Sequence, residues 1–238
     1  MLFIWIAIGA YLLFAVNAVI DKFLLHKNRI SQPEAYAFAI GVMSVVVVVF
    51  APFGFFWPTT GKLFLALFAG ALGTMALYCY FSALKVGETS RVVPIQGGSV
   101  PLFTFFLAYL IAGEKLTAAG VAAIVLLVAG TVLLSYEKKG KVQDRGFLWL
   151  AILAAFLFAL SFTLTKVVYG QLEFVNGFIW TRFGMVAGAL LFLIPPRQRR
   201  GILEGFRSGR KSSSGALFIF GQAIGAVASI AQNYAIGL

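Results

Sequence analysis

The sequence predicts an all-α protein that crosses a membrane many times, and both its composition and its patterning carry this prediction. Hydrophobic residues make up 61% of the 238 residues and charged residues 11%, whereas soluble chains have about 45–50% and about 25%. The mean hydropathy is +0.95. The apolar residues form long charge-poor stretches, and about 20 such residues suffice for one helix to cross a bilayer.

Eight stretches of this kind follow one another along the chain and are numbered here as spans 1 to 8. They are 2–20, 35–57, 63–84, 92–113, 116–136, 146–165, 174–196 and 215–238. All 8 acidic residues lie outside them, as the cost of placing a carboxylate in hydrocarbon requires. We therefore expect eight transmembrane helices.

An internal repeat relates the two halves of the chain. At a shift of 144 residues, span 1 matches span 6 at eight of eighteen positions, including Trp5 with Trp149 and Lys22 with Lys166. Span 3 matches span 8 more loosely at a shift of 152, so spans 2 and 7 pair between them. This predicts a complete five-helix repeat followed by an incomplete one of three helices. The units are residues 1–140 and 146–238, and completing the second predicts a truncated chain with ten helices in about 290 residues.

The basic residues predict an orientation. Of the 19 Lys and Arg, fifteen lie in loops 1, 3, 5 and 7, three lie in loops 2, 4 and 6, and Arg182 lies within span 7. Since Lys and Arg collect in cytoplasmic loops, this distribution places the odd loops in the cytoplasm and Met1 outside. An odd number of helices in each repeat also inserts the two units in opposite directions, as in many secondary transporters.

The longest loop, 197–214, carries six of these basic residues with apolar residues between them. It is either a short interfacial helix on anionic lipid or a solvated segment that only sets topology. The net charge of +11 would suggest nucleic acid in a soluble chain. Here it is explained by topology, and no nucleic-acid partner is expected.

Arg182 is the one ionisable residue inside a predicted span. It lies eight residues past Phe174, about 12 Å along a helix and so near the middle of the bilayer. One interpretation is a substrate anchor for carboxylate or phosphate, which guanidinium binds bidentately. The other is a structural arginine bonded to the polar groups of neighbouring helices.

Further polar residues occur at helical spacing and suggest a lined cavity. Asn17 and Asp21 on span 1 have Ser161 and Thr165 as their repeat mates on span 6, and each pair lies on one helix face. Asp21 is the only acid near a span that could carry a coupling proton, but a salt bridge at the membrane interface, where Lys22 is adjacent, is the favoured interpretation. Similar stripes are Thr74, Tyr78 and Ser82 on span 3 and Gln222, Ser229 and Asn233 on span 8. The candidate substrate-binding residues are Arg182, Asn17, Tyr78, Gln96, Ser161 and Asn233.

Prolines and glycines mark the remaining features. Span 4 opens with a segment that includes Pro94 and Pro101. This segment is either irregular backbone lining a cavity or a kink needed for packing. Two pairs of glycines spaced four apart are predicted helix contacts: Gly184 with Gly188, and Gly221 with Gly225.

Enzymatic functions are disfavoured by the shortage of reactive groups. The chain has one histidine and one cysteine, too few for a common zinc site, so no metal and no cofactor are expected. The Gly61-Lys62 step lacks the glycine spacing and the Ser or Thr of a P-loop, which argues against ATP hydrolysis. We therefore expect the protein not to be an enzyme.

Span 4 and its neighbours carry a family resemblance. The matching residues are Ser82-Ala83-Leu84-Lys85-Val86-Gly87, Val100-Pro101-Leu102-Phe103, Gly113-Glu114-Lys115-Leu116-Thr117, Gly120 and Gly130. They resemble the EamA-like family of the drug/metabolite transporter superfamily. The resemblance implies a ten-helix carrier that moves small metabolites or drug-like solutes by alternating access. It also implies a mid-helix Pro101, a corner residue Glu114 that caps span 5, helix glycines Gly120 and Gly130, and, in contrast to the loop charge, both termini inside.

The sequence thus favours a multi-pass secondary transporter in the cell membrane. The alternative is a non-transporting membrane assembly or lipid-handling component that uses the basic loop 197–214. The expected partners are a small-molecule substrate and the lipid bilayer, and a homodimer is left open. Saturable flux of one solute would distinguish the carrier from this alternative.

Overall fold

The computed structural model describes residues 2–26, 32–113, 118–135, 146–211 and 215–237. All regular structure in this part of the chain is helical. The helices are α1 (Leu2–His26), α2 (Pro33–Met43), α3 (Thr60–Val86), α4 (Thr89–Ala112), α5 (Ala118–Ser135), α6 (Gly146–Tyr169), α7 (Phe174–Leu191), α8 (Pro196–Lys211) and α9 (Gly215–Gly237), and a 3₁₀ helix (Ser44–Phe53) continues α2. The all-α prediction is confirmed.

Seven segments of the described chain are long and apolar enough to cross a membrane. They are Ile4–Leu24, Pro33–Phe53, Thr60–Val86, Thr89–Ile111, Gly146–Tyr169, Phe174–Leu191 and Ala216–Ile236. The eighth predicted span is α5, whose 18 residues rise about 27 Å, close to the thickness of the hydrocarbon core. The predicted count of eight therefore agrees with seven full spans and one shorter apolar helix.

Two predicted spans end elsewhere than expected. Span 2 ends at Phe53 in a 3₁₀ helix that contains Pro52. Pro52 removes a backbone donor, and the valine run before it loses rotamer freedom in a regular helix. Span 7 ends at Leu191, and Pro196 starts α8, a first-turn position that suits proline. Hydropathy alone could not find these ends, because the residues beyond both helices remain apolar.

The described part of loop 7 lies in the helix α8 (Pro196–Lys211), which packs on α2. Its buried side consists of Gly201, Ile202 and Gly205, and a Cβ on either glycine would collide with Glu34 or Ala35 of α2. The absence of side chains at these glycines lets the two backbones approach closely. This part of the loop is therefore a helix docked on α2, and its contact with anionic lipid stays a prediction.

Helix α3 lies at the centre of the bundle and packs against α6 and α7, while α1 packs mainly against α9 and α4 against α5 and α6. The predicted glycine contacts are confirmed. A Cβ on Gly184 would collide with the carbonyl oxygen of Leu67 on α3, and one on Gly188 would lie 2.9 Å from Ala71 Cα. On α9, a Cβ on Gly221 would lie 3.0 Å from Ile20 Cγ2 of α1.

Helix α4 is continuous from Thr89 to Ala112 and includes both Pro94 and Pro101. Of the two interpretations of this segment, irregular backbone is therefore contradicted, and the kink within a helix is the one that stays open. The helix ends at Gly113, whose φ of 65° is left-handed and suits glycine. Glu114, the predicted corner residue, lies outside the described residues.

Large apolar side chains cover the outside of the bundle. Trp5 on α1 is 72% exposed, and Leu126 and Leu133 on α5 are 73% and 76% exposed. Such surfaces are stable where lipid tails cover them. The fold is that of a multi-pass integral membrane protein.

Candidate functional site

Two polar clusters lie among the described helices. The first, the Arg182 cluster, consists of Arg182 on α7, Ser229 and Asn233 on α9, and Tyr169 on α6. The second, the Asp21 cluster, consists of Asp21 and Asn17 on α1 and Tyr36 on α2. Each cluster joins helices that are distant in sequence, so each depends on the assembled bundle.

In the Arg182 cluster, the guanidinium contacts uncharged groups. Its Nη2 donates a short hydrogen bond to Ser229 Oγ, and its Nη1 lies 3.1 Å from Met185 Sδ. Its Cζ lies 4.7 Å from the centroid of the Phe178 ring, a cation–π contact that contributes about 2 kcal/mol when it is shielded from water.

Asn233 extends this cluster to α6. Tyr169 Oη donates to Asn233 Oδ1 over 2.9 Å, and Asn233 Nδ2 donates to the Ser229 carbonyl over 2.8 Å. The chain of bonds therefore runs from Tyr169 through Asn233 and Ser229 to Arg182. It positions the Ser229 hydroxyl that accepts from the guanidinium.

The charge of Arg182 has no acidic partner in the described part of the chain. Its neighbours there are a hydroxyl, a thioether, an aromatic ring and the Tyr169 phenol. A guanidinium has five N–H donors, and the contacts above occupy two. The side chain is half-buried, so the arrangement can accept an anion at the remaining donors.

In the Asp21 cluster, the carboxylate is 4% exposed and accepts two hydrogen bonds. Tyr36 Oη donates a short bond to its Oδ1, and Asn17 Nδ2 donates to its Oδ2 over 3.2 Å. Lys22 points elsewhere, with its Nζ 3.4 Å from the carbonyl oxygens of Leu84 and Gly87 at the end of α3. The predicted salt bridge between Asp21 and Lys22 is wrong, because successive residues of a helix do not face each other.

Aromatic rings enclose the Tyr36 side of this cluster. The Tyr36 side chain is fully buried, and its ring centroid lies 4.5 Å from that of Phe81 and 5.2 Å from that of Phe218. On the other side, a Cβ on Gly221 would lie 3.2 Å from Asn17 Oδ1, and one on Gly225 would lie 3.3 Å from Asn17 Nδ2. The Asn17 amide thus packs closely against Gly221 and Gly225 of α9.

One face of α9 connects the two clusters. Gln222 lies beside Tyr36, and Ser229, seven residues further along, bonds to Arg182. Seven residues are about two helical turns, or roughly 10 Å. An anionic and a cationic cluster therefore lie along a single helix face inside the bundle.

The other predicted site residues lie away from these clusters. Ser161 Oγ donates to the Ala69 carbonyl of α3 over 2.8 Å, which links α6 to α3. The Tyr78 ring packs 5.4 Å from that of Phe192. Gln96 is half-buried on α4, and no hydrogen bond within the described residues joins it to either cluster. Arg182, Asn233 and Asn17 are the three candidates that the structure places in the clusters.

Two cluster residues were missed from the sequence, Tyr36 and Tyr169. Tyr36 lies two residues inside span 2, and Tyr169 lies four residues beyond the predicted end of span 6. The available signal for both residues was a tyrosine near the end of an apolar span. It is weak, because tyrosines commonly lie at membrane interfaces without binding anything.

The motif residues Pro101, Gly120 and Gly130 all lie inside helices α4 and α5. Pro101 is half-buried within α4. A Cβ on Gly98 would collide with Thr131 of α5, whereas one on Gly130 would meet no described atom within 4 Å. Gly120 lies inside α5. The close approach of α4 and α5 therefore depends on Gly98, which is not one of the family-motif residues.

The helices and the enclosed polar clusters define a polytopic membrane protein with charged groups in its interior, the class to which carriers and channels belong. Residues 1–136, more than half of the chain, match the EamA-like transporter family. The chain belongs to this family, which confirms the resemblance seen in the sequence. It is therefore a membrane transporter of the drug/metabolite type, with a small-molecule substrate and a lipid environment. No curated protein matches the chain.

Proposed function

We propose that the protein is a secondary transporter of small solutes that carry a carboxylate or phosphate group, with Arg182 as the anchor for that group. One observation carries this proposal: the intramembrane guanidinium of Arg182 contacts only uncharged groups in the described chain. A cation within a membrane-spanning segment that has no counterion is costly. A solute anion would supply the missing charge and accept the unused donors.

The neighbours of Arg182 suit such a role. The Ser229 hydroxyl can exchange its place on the guanidinium for a solute oxygen, while the Phe178 ring stays beneath the cation. Asn233 keeps the Ser229 backbone in position from the other side. The anchor is thus preorganised on three helices, which lowers the entropy that binding must overcome.

Alternating access would follow from the two sequence repeats. In the sequence repeat, α1 corresponds to α6 and α3 corresponds to α9. The contact between α1 and α9 in the structure is therefore the counterpart of the contact between α6 and α3. Both contacts are extensive. This correspondence supports residues 1–140 and 146–238 as inverted units, and rocking of one unit against the other would expose the site to each side in turn.

The test is flux into liposomes that contain the purified protein, measured with a panel of organic anions, organic cations and neutral solutes. We expect saturable flux of at least one anion. Replacing Arg182 by Gln should lower that flux about 10- to 100-fold, because hydrogen bonds to charged groups are worth about 1.5–3 kcal/mol. Arg199→Gln on the exposed side of α8 is the matched control and should leave flux unchanged. Normal anion flux by the Arg182→Gln protein would contradict the proposal.

A lipid-handling role is the second candidate, and α8 is the observation that favours it. Arg197, Arg199, Arg200 and Arg207 are all exposed on this helix, and each basic residue near an anionic surface contributes about 1 kcal/mol. If this role is the main one, vesicles of anionic lipid should bind the protein more tightly than neutral vesicles, and no solute of the panel should show flux. Saturable flux would instead favour the carrier.

The orientation is also a proposal. The basic α8 and the Lys22 end of α1 belong to the odd-loop side, which the loop charges assign to the cytoplasm. Reporter fusions within residues 212–214 test this assignment, and a signal from outside the cytoplasm would reverse it. Location in the cell membrane and formation of a homodimer stay predictions, to be checked by fractionation and by cross-linking in the membrane.

A further inference from the structure

The proposed function uses Arg182 and leaves the buried carboxylate of Asp21 without a role. We infer that Asp21 is a proton-binding site that couples proton movement to solute movement. This inference rests on the proposed function for the solute, but proton binding itself can be tested without any solute.

The position of Asp21 calls for a functional reason. The expectation that all acidic residues lie outside the spans is wrong for Asp21, because it lies within the apolar segment Ile4–Leu24 and is 4% exposed. Carboxylates inside membrane helices are expensive, and they mark ion pathways and proton relays. A structural carboxylate would be expected to have a cationic partner, but the nearest basic residue, Lys22, bonds to the end of α3 instead.

The partners of Asp21 can satisfy both of its protonation states. In the structure, Asn17 Nδ2 and Tyr36 Oη donate to the carboxylate, while Asn17 Oδ1 is buried and has no hydrogen-bond partner among the described residues. An amide can donate through its nitrogen or accept through its oxygen. When one proton from the aqueous phase binds to Asp21, the charge goes from −1 to 0. The Asn17 amide can then turn and accept the new O–H through its free oxygen.

The surroundings favour a proton over a metal cation. Calcium and magnesium require about six oxygen ligands, and both oxygens of Asp21 already accept hydrogen bonds. No group of three or more His, Cys, Asp or Glu that could hold a metal ion occurs in the described chain. The titratable groups that face Asp21 are Tyr36 from α2 and Tyr80 from α3, whereas Lys22 of its own helix is bonded to the end of α3. Helix α9 presents the uncharged Gln222.

The path from Asp21 to Arg182 is short and continuous. Asn17, whose amide would turn on protonation, is wedged against Gly221 and Gly225 of α9. On the same helix, Ser229 bonds to Arg182. A change in the packing of α1 on α9 therefore reaches the hydroxyl that occupies the solute anchor. By linkage, solute binding would then alter proton binding by the same factor.

The first test detects the proton directly. Full-length protein in lipid nanodiscs is exposed to steps of pH, and infrared difference spectra are recorded in the region of the protonated carboxyl group. We expect a carboxyl band that disappears in Asp21→Asn and persists in Glu173→Gln, an exposed acid used as control. In Tyr36→Phe the band should shift in frequency, because the hydroxyl bonded to this carboxyl is gone. A band unchanged by Asp21→Asn would overturn the inference.

The second test separates coupling from solute binding, using the anion identified by the flux panel. For one proton per solute, a gradient of one pH unit supports an accumulation of up to about tenfold. Asp21→Asn should abolish this accumulation, while exchange of labelled for unlabelled solute continues at roughly the wild-type rate. Gradient-driven accumulation by Asp21→Asn would refute coupling, and loss of exchange as well would mean that Asp21 contacts the solute instead. If wild-type protein transports nothing, the proposed function fails, and the infrared test still decides proton binding.

Discussion

The Arg182 cluster and the Asp21 cluster place opposite charges inside one bundle and stabilise them in the same way, by neutral hydrogen-bonding groups. They differ in how their helices are held. The Arg182 cluster lies on α7, whose glycines contact the backbone of α3 directly, whereas the Asp21 cluster lies where α9 glycines contact the side chains of α1. Backbone contacts are rigid and side chains can adjust. The position of Arg182 on α7 is therefore fixed, whereas the contacts of α9 with α1 around Asn17 can adjust.

This difference predicts the largest effect, which is on stability. In Gly184→Ala the new methyl group would collide with the Leu67 carbonyl, and neither backbone can move without separating α3 from α7. We expect a loss of about 3 kcal/mol in the free energy of unfolding, at the upper end of typical overpacking costs. In Gly221→Ala the nearest atom is the flexible Ile20 Cγ2, at 3.0 Å, and we expect about 1 kcal/mol.

Unfolding of the purified variants in mixed micelles measures both losses. Gly130→Ala serves as control, because its Cβ would meet no described atom within 4 Å; it should be neutral or slightly stabilising, since alanine favours helix over glycine. Equal losses at Gly184 and Gly221 would remove the distinction between a rigid and an adjustable site.

The two tyrosines predict the next largest effect. Tyr36 donates to a carboxylate and Tyr169 to a neutral amide. Hydrogen bonds to charged groups contribute about 1.5–3 kcal/mol, whereas interhelical bonds between neutral groups in membranes average about 0.6 kcal/mol. Tyr36→Phe should therefore lower the free energy of unfolding by about 2 kcal/mol and Tyr169→Phe by about 0.6 kcal/mol. Similar losses, measured in the same micelles, would indicate that Asp21 is uncharged in the folded protein.

Sequence patterning predicted the helices well, because hydrocarbon imposes a simple length and charge rule on every span. It failed where apolar residues continue beyond the end of a helix, as between Leu191 and Pro196, because hydropathy does not indicate where the helical hydrogen bonds stop. The glycine contacts could also be predicted. Gly184 and Gly188 are four residues apart and therefore lie on one face of their helix, although this spacing does not indicate which helix they contact.

The candidate site could be predicted only in part. Arg182 was evident because a charge inside a span is rare. Asp21 was misjudged, because its neighbour in sequence, Lys22, suggested a partner, whereas its actual partner Tyr36 comes from another helix. Such pairings depend on the rotation of each helix about its axis. Packing sets that rotation, and a single sequence does not report it.

The smallest predicted effect concerns Ser161, the repeat mate of Asn17. Asn17 of α1 packs against α9 and belongs to the Asp21 cluster. Ser161 Oγ of α6 instead donates to the Ala69 carbonyl of α3. If Ser161 only links helices, Ser161→Ala should cost about 0.6 kcal/mol in the free energy of unfolding and leave solute flux unchanged.

Thr163 provides the matched control for this prediction. Its hydroxyl is equally buried but bonds to the Ala159 carbonyl of its own helix, so Thr163→Val removes a hydroxyl without removing a contact between helices. Its stability should change less than that of Ser161→Ala. A loss of flux in Ser161→Ala at unchanged stability would give Ser161 the solute-binding role that its pairing with Asn17 suggests. Both members of this repeat-related pair, Asn17 and Ser161, would then belong to the solute path.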